Sequence, residues 1–299
     1  MNEYGLFKQN QKTFVACSSE EEIYKALGLQ FIEPELRENY GELEAAEKGT
    51  LPKLVEEKDL QGVFHVHSTY SDGSNSIEEI AKRCMDLGYH YLGISDHSKS
   101  AYYANGLSEE RIKRQHEEID RLNEKLKPFV IFKGIEVDIL PDGSLDYDDA
   151  VLATFDFVIA SVHSSFNLPE KEMTERICRA LQHPAVTMLG HPTGRLLLGR
   201  EPYALDMEQV LETAAKHGKI IEINANPYRL DLDWRWGIKA NRMGIKTSIN
   251  PDAHALEGLE DVRFGVGIAR KAWYEKSLVL NTFSVEEIKA FLAQSKQRQ

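Results

Sequence analysis

Cysteine is scarce. Cys17, Cys84 and Cys178 are the only three in 299 residues, and no two form a Cys-x-x-Cys pair. Such spacing excludes a disulfide-stapled scaffold and a zinc knuckle and suits a reducing compartment, so the cytoplasm is the expected location. Also missing is any apolar run near the roughly 18 residues that cross a bilayer, and MNEYGLFKQN lacks a basic segment leading into an apolar one. No membrane partner is expected. Cations are in deficit, 36 Lys and Arg against 48 Asp and Glu, for a net charge of -12. A long nucleic-acid footprint relies on clustered Lys and Arg, so an extended polyanion is disfavoured. Phosphate chemistry is not, because bound divalent ions would be the largest local charges in a pocket. Low-complexity tracts and fixed-period repeats are absent too.

What is present, from about residue 61 onward, is a rhythm of short apolar runs and amphipathic segments. GVFHV, YLGIS, FVIFKGIEV, FDFVIASV, AVTMLG, KIIEIN and IKTSIN each read as a buried strand. Helix signals lie between them, including Ser76 with Glu79 as a capping box and Ile112, Ile119, Leu122 and Leu126 along one face after Ser108. Strand-helix alternation gives a parallel sheet, open or closed, and seven units favour a distorted (β/α)7 barrel over residues 61–299. Residues 1–60 differ. SSEEEIYKALG reads as a short helix capped by Ser18 with Glu21 or Ser19 with Glu22 and ended by Gly28. The acidic segment after it shows little apolar periodicity and is expected to be an arm or linker. A last capping box, Ser284 with Glu287, precedes an apolar C-terminal helix.

Histidine and carboxylate residues fall at the ends of the strands. His65 and His67, with Asp72, follow the first run; Asp96 and His97 follow YLGIS; Glu136 follows FKGI; His163 follows IASV; His191 follows VTMLG; Asp252 and His254 follow SINP. In a parallel barrel the residues after the C-terminal strand ends converge on one rim. Neutral imidazole and carboxylate suit zinc, manganese or iron, and nine such residues, Asp96 aside, exceed the needs of one four- to six-coordinate ion. Two or three divalent ions are therefore expected. The i, i+2 spacing of His65 with His67 and of Asp252 with His254 keeps each pair on one face of an extended backbone. His90, His116, His183 and His217 lie at strand starts, helix faces or helix ends and read as structural.

HVHSTYSDGS, SDH, GIEVDI, SVHSS, GHPTGR and NPDAH resemble the successive motifs of the polymerase and histidinol phosphatase (PHP) domain, over roughly residues 61 to 293. The resemblance implies that His65, His67, Glu136 and Asp252 hold one ion, that Glu136 bridges to a second held by His163 and His191, and that Asp72, His97 and His254 hold a third. It also implies phosphate-ester hydrolysis by metal-activated hydroxide rather than by a side-chain nucleophile. NEYGLF, SSEEEIYKALGL and PELRE, with GHPTGRLLLGR and NPYRLDL, are similar to the connector and PHP region of bacterial family X DNA polymerases. A 3'-5' exonuclease acting on DNA 3' ends is thus the first expectation. The nucleotidyl-transfer carboxylates of such a polymerase would precede Met1, so no polymerase activity is expected here, and a polymerase core is a candidate partner in a longer parent chain. A phosphomonoesterase for a small metabolite, favoured by the acidic charge, is the alternative, and a non-catalytic brace for a polymerase is a third. Lys99, Arg195 and Arg229 follow strand ends and are candidates to bind substrate phosphate; Arg200 reads as a solvated loop charge. Asn224 and Asn226 serve the site or a turn, and Tyr70 and Tyr102 stack on a base or pack locally.

Overall fold

The computed structural model describes residues 6–7, 14–16 and 18–297, and the chain divides into two compact units, Met1–Leu54 and Val55–Gln299. In the first, β1 (Leu6–Phe7) pairs antiparallel with β2 (Phe14–Ala16). Helix α1 (Glu20–Ala26) starts where the Ser19 hydroxyl accepts the Glu22 N–H, and Gly28 follows its end at φ 75°. The segment expected to be irregular contains a second helix, α2 (Glu42–Lys48). Seven residues are too few to show periodicity. Its start is organised instead by the Glu42 carboxylate, which accepts the N–H groups of Asn39 and Tyr40 at 2.7 Å each.

The second unit is a seven-stranded parallel sheet in sequential order: β3 (Gly62–Val63), β4 (Tyr91–Ile94), β5 (Val130–Asp138), β6 (Phe157–Ser161), β7 (Met188–Leu189), β8 (Ile220–Asn224) and β9 (Thr247–Asn250). Every strand residue but two is buried, which is why the strands read as continuous apolar runs. Helices α3 (Ile77–Asp86), α4 (Glu109–Lys125), α5 (Asp149–Leu152), α6 (Glu170–Gln182), α7 (Met207–His217), α8 (Trp234–Arg242), α9 (Val262–Lys271) and α10 (Val285–Gln297) complete it. The sheet closes beyond its named strands. Val66 and Ala253 form a parallel bridge, with the His67 N–H donating to the Ala253 carbonyl at 2.9 Å and the Ala253 N–H to that of His65 at 3.3 Å. Closure by a bridge rather than by full strands is the distortion of this barrel.

Phe64, Tyr91, Phe132, Phe157, Met188 and Ile220 form an apolar plug with Ile288 and Leu292 of α10. Gly134 makes room for it, since a Cβ there would lie 2.1 Å from the Phe157 ring. The ends of β3 to β9 beyond this plug carry the polar residues. Cys84 and Cys178 are buried and unpaired; Cys17 lies outside the described residues. No helix among the described residues is long and apolar enough to cross a membrane.

Candidate metal centre

Strand register assembles the site. The parallel bridge between His97 and Glu136 sets those two side by side, and the Val66–Ala253 closure sets His65 and His67 beside Asp252 and His254. Glu136, buried inside β5, is the hub. Its carboxylate oxygens lie 3.2 Å from His65 Nε2, 3.6 Å from His67 Nε2, 2.9 Å from His97 Nδ1, 3.3 Å from His163 Nε2 and 2.9 Å from His191 Nε2. Asp252 Oδ1 stands 3.2 Å from His67 Nε2 and 3.4 Å from His65 Nε2. Asp72 Oδ1 stands 3.4 Å from His254 Nε2 and 3.7 Å from His97 Nε2. All nine expected residues thus come together. Three sets of donor atoms are close enough to share an ion: His67, Asp72, His97 and His254; His65, His67 and Asp252; His97, Glu136 and His163. His191 touches Glu136 but falls outside those sets.

The donors fit divalent ions on two counts. His65 Nε2, both nitrogens of His67, His97 Nδ1 and Glu136 Oε2 are buried without a hydrogen-bond partner, an arrangement that costs free energy unless another group engages them. The rings are also crowded, with His67 stacked on His97 at 4.4 Å and on His254 at 4.2 Å between centroids. Burial, with His97 and His254 alongside, pushes the His67 imidazole down to about 3, which leaves it neutral and able to ligate at neutral pH. Burial opposes charge on His163 as well, but Glu136 and Asp138 outweigh it and hold the imidazolium up to about 10. Asp72 and Asp252 hold His254 charged up to about 9 against its burial. Burial likewise opposes ionisation of Glu136 and Asp252, and the surrounding imidazoles override it, keeping both carboxyls well below their usual range.

Several residues that sequence reasoning did not single out hold this cluster in place. Glu222, buried inside β8, accepts from His65 Nδ1 at 2.7 Å and from the His191 N–H at 2.6 Å. Asp138 accepts from His163 Nδ1 at 2.6 Å. Carboxylates behind ligating imidazoles fix the tautomer and leave the other nitrogen free. The available signal was the lone acid in the run KIIEIN and the second acid, two residues after Glu136, in GIEVDI. Asp96, noted only as a neighbour of His97, accepts the N–H of Ser68 at 2.7 Å and of Ser71 at 3.2 Å, both their hydroxyls, and the Gln115 amide at 2.6 Å. It anchors the loop that bears Asp72. Gly73 follows in that loop because a Cβ would lie 2.3 Å from the His67 carbonyl. His191 and Asp252 hold positive φ of 24° and 51°, backbone strain at the centre itself.

Of the three cations expected to meet substrate, Arg229 reaches the cluster, with Nε 3.5 Å from Asp252 Oδ2. The Arg195 guanidinium donates to the carbonyls of Arg229 and Leu230 and pairs with Asp233 at 3.2 Å. Lys99 is exposed, its ammonium 5.1 Å from the centre of the Tyr147 ring. Arg200 donates to the Gly194 carbonyl and lies over Phe166 rather than in free solvent. Asn224 donates to Asp252 Oδ2 at 3.0 Å, whereas Asn226 accepts the Tyr228 N–H in a turn. Tyr70 is held by Glu118 at 2.8 Å, while Tyr102 is 88% exposed.

Residues 64–226 match the model of the PHP domain, and residues 1–38 match that of the DNA polymerase beta thumb. The chain is 46% identical over 292 residues to the DNA polymerase/3'-5' exonuclease PolX of Bacillus subtilis, covering 98% of this chain but 51% of that protein, so it spans about half the relative's length. It is 29% identical over 255 residues to a protein of Thermoanaerobacter named "probable phosphatase", covering 78% of this chain and 95% of that one. Among solved structures, histidinol phosphate phosphatase from Lactococcus lactis, complexed with zinc, L-histidinol and phosphate, superposes with a TM-score of 0.54 at 18% identity over 72% of this chain and 94% of that one. That likeness establishes a shared barrel fold. With its model matched across more than half of the sequence and the expected barrel in place, this chain belongs to the PHP domain family.

Proposed function

We propose that the chain is a metal-dependent phosphoesterase that hydrolyses phosphodiester bonds at DNA 3' ends. The observation that carries the reading is a buried carboxylate, Glu136, with nitrogens of five imidazoles within 3.6 Å of it. His65, His67, Asp72, His97, Glu136, His163, His191, Asp252 and His254 would hold two or three divalent ions of zinc, manganese or iron. When bound, such ions acidify water and neutralise charge on a phosphate ester. The chain's own residues do the rest. Glu222 and Asp138 fix the orientation of His65 and His163. Arg229 offers a permanent cation beside Asp252 for a phosphate oxygen. The hydroxyls of Ser68 and Ser71 are committed to Asp96, so they serve the loop rather than attack.

The choice of DNA ends rests on the 46% identity to the Bacillus subtilis exonuclease and on the thumb match at residues 1–38. In a longer parent chain the first residues, 1–60, would then connect the barrel to a polymerase core. A cytoplasmic setting suits the two buried free thiols. The second reading, a phosphomonoesterase, draws on the net charge of -12 and on the phosphatase relative matched over 95% of its length. The metal-loaded protein should shorten a 3'-labelled oligonucleotide. Turnover of small phosphate monoesters with the oligonucleotide left intact would replace the first reading by the second. His65→Ala and Asp252→Asn should each abolish hydrolysis. Asparagine tolerates the left-handed backbone at φ 51°, so activity retained by that variant would count against the carboxylate's role.

A further inference from the structure

Two lips at the mouth of the cluster carry apolar side chains in open water. The first is the turn Tyr102–Ala104, where Tyr102 is 88% and Tyr103 73% exposed. The turn is built, not loose: Leu107 N–H donates to the His97 carbonyl at 2.9 Å, the Asn105 amide to the Ser71 carbonyl at 3.2 Å, and Arg111 to the Asn105 carbonyl at 2.8 Å. The Tyr103 ring centre stands 6.3 Å from that of His97. The second lip is a tight turn closed by the Leu196–Arg200 bridge. At its tip Leu198 is fully exposed at φ 62°, a backbone region that branched apolar residues avoid. The Leu197 N–H donates to the Tyr228 carbonyl at 2.6 Å, and Tyr228 is 71% exposed beside Arg229. One lip therefore joins the cluster through His97 and the other through the Arg229–Asp252 pair.

Strained or rigidly held apolar groups in water at an active mouth point to a ligand with an apolar face. We propose that Tyr103 and the Leu198–Tyr228 lip receive the terminal nucleotide of an unpaired DNA strand, its base against these side chains and its phosphate towards Arg229. The inference rests on the phosphodiesterase reading above. Base contact suits an acidic protein, since stacking on aromatic rings is sequence-tolerant and does not need the long cationic track that a net charge of -12 disfavours. A blunt duplex keeps its terminal base stacked and paired, so an unpaired end is the preferred occupant.

The probe is a single-stranded oligonucleotide with 2-aminopurine as its 3'-terminal base and a cleavage-resistant phosphorothioate as its last linkage, mixed with the metal-loaded full chain. Saturable change in 2-aminopurine fluorescence is expected, with binding about tenfold weaker for Tyr103→Ala and for Leu198→Asn, near wild type for Tyr103→Phe, and about tenfold weaker for the blunt duplex. On cleavable substrates, the ratio of kcat/KM for oligonucleotide over p-nitrophenyl phosphate should fall about tenfold in the Ala variant. Absence of a wild-type fluorescence response, equal binding by the variants, or equal loss on both substrates would overturn the proposal. A wild-type response together with cleavage of monoesters alone would retain base docking and refute the phosphodiesterase reading; oligonucleotide cleavage indifferent to the variants would do the reverse.

Discussion

Glu222 is fully buried, yet it is not one of the nine donors, and its whole surface is occupied by partners. One oxygen accepts from His65 Nδ1 at 2.7 Å and from the Asn250 amide at 2.9 Å; the other accepts from the His191 N–H at 2.6 Å. A carboxylate at this position holds a proton of His65 on Nδ1, so that Nε2, 3.2 and 3.4 Å from Glu136 and Asp252, is the nitrogen left to face an ion. Glu222→Gln keeps the shape but turns an acceptor into a donor on one side, where His65 or the His191 amide already donates. Metal affinity should therefore fall about 10- to 100-fold, measured by competition with a chromogenic chelator. Unchanged affinity would show that Glu222 merely fills space. Asp138 plays the matching part behind His163 at 2.6 Å.

At the scale of elements, the site is made of strand ends tied to one another by loops, and the loop after β3 depends on one buried acid. Asp96, three residues before Lys99 and just past β4, gathers donors from Ser68, Ser71 and, on α4, Gln115. Asp96→Asn would point an amide at donors that already converge there, so a loss of about 2–4 kcal/mol is expected in urea unfolding. The ion nearest Asp72 should be the first to dissociate, read by metal content after dialysis; full occupancy and unchanged stability would refute the clamp. The strands themselves were legible in the sequence because each is buried on both faces and reads as an unbroken apolar run, and the capping boxes at Ser76 and Ser284 appear as expected. Glu222 and Asp138 escaped notice for the same reason: an acid within an apolar run, alone as Glu222 or two residues past another as Asp138, carries no sign of which imidazole it will face. Nor does sequence show that Arg195 turns to the carbonyls of Arg229 and Leu230 in the loop after β8 while Arg229 reaches Asp252, since both are cations placed soon after a strand end. The helix α2 is invisible to periodicity and declares itself only through the side chain of Glu42.

For the whole molecule, the cluster couples folding, protons and metal. In metal-free protein His163 keeps its proton up to about 10 and His254 up to about 9, both raised above the ordinary imidazole value. A raised imidazole gives stability that is complete below its unfolded pKa and is lost as pH climbs through the folded one. Carboxyls move the other way: Glu136 and Asp252 lie well below their usual range and Asp72 is held at about 2, against its burial, by His254, His67 and His97. Their contribution is present above the unfolded carboxylate value and disappears as pH falls. Buried His67, pushed down to about 3, adds to acid sensitivity, because only the unfolded chain takes up that proton between its ordinary value and 3. After chelation the Tm should thus decline from pH 7 towards pH 10 and again below about pH 5, whereas bound metal, by excluding those protons and binding only the folded state, should raise the Tm and flatten its alkaline limb. Ions must displace the His163 and His254 protons to bind, so affinity should rise with pH up to about 10, and calorimetric heats at pH 7 should differ between buffers of unequal ionisation enthalpy. Heats independent of the buffer, or a chelated protein whose Tm is flat from pH 7 to 10, would mean that these imidazoles are not the groups on which the ions land.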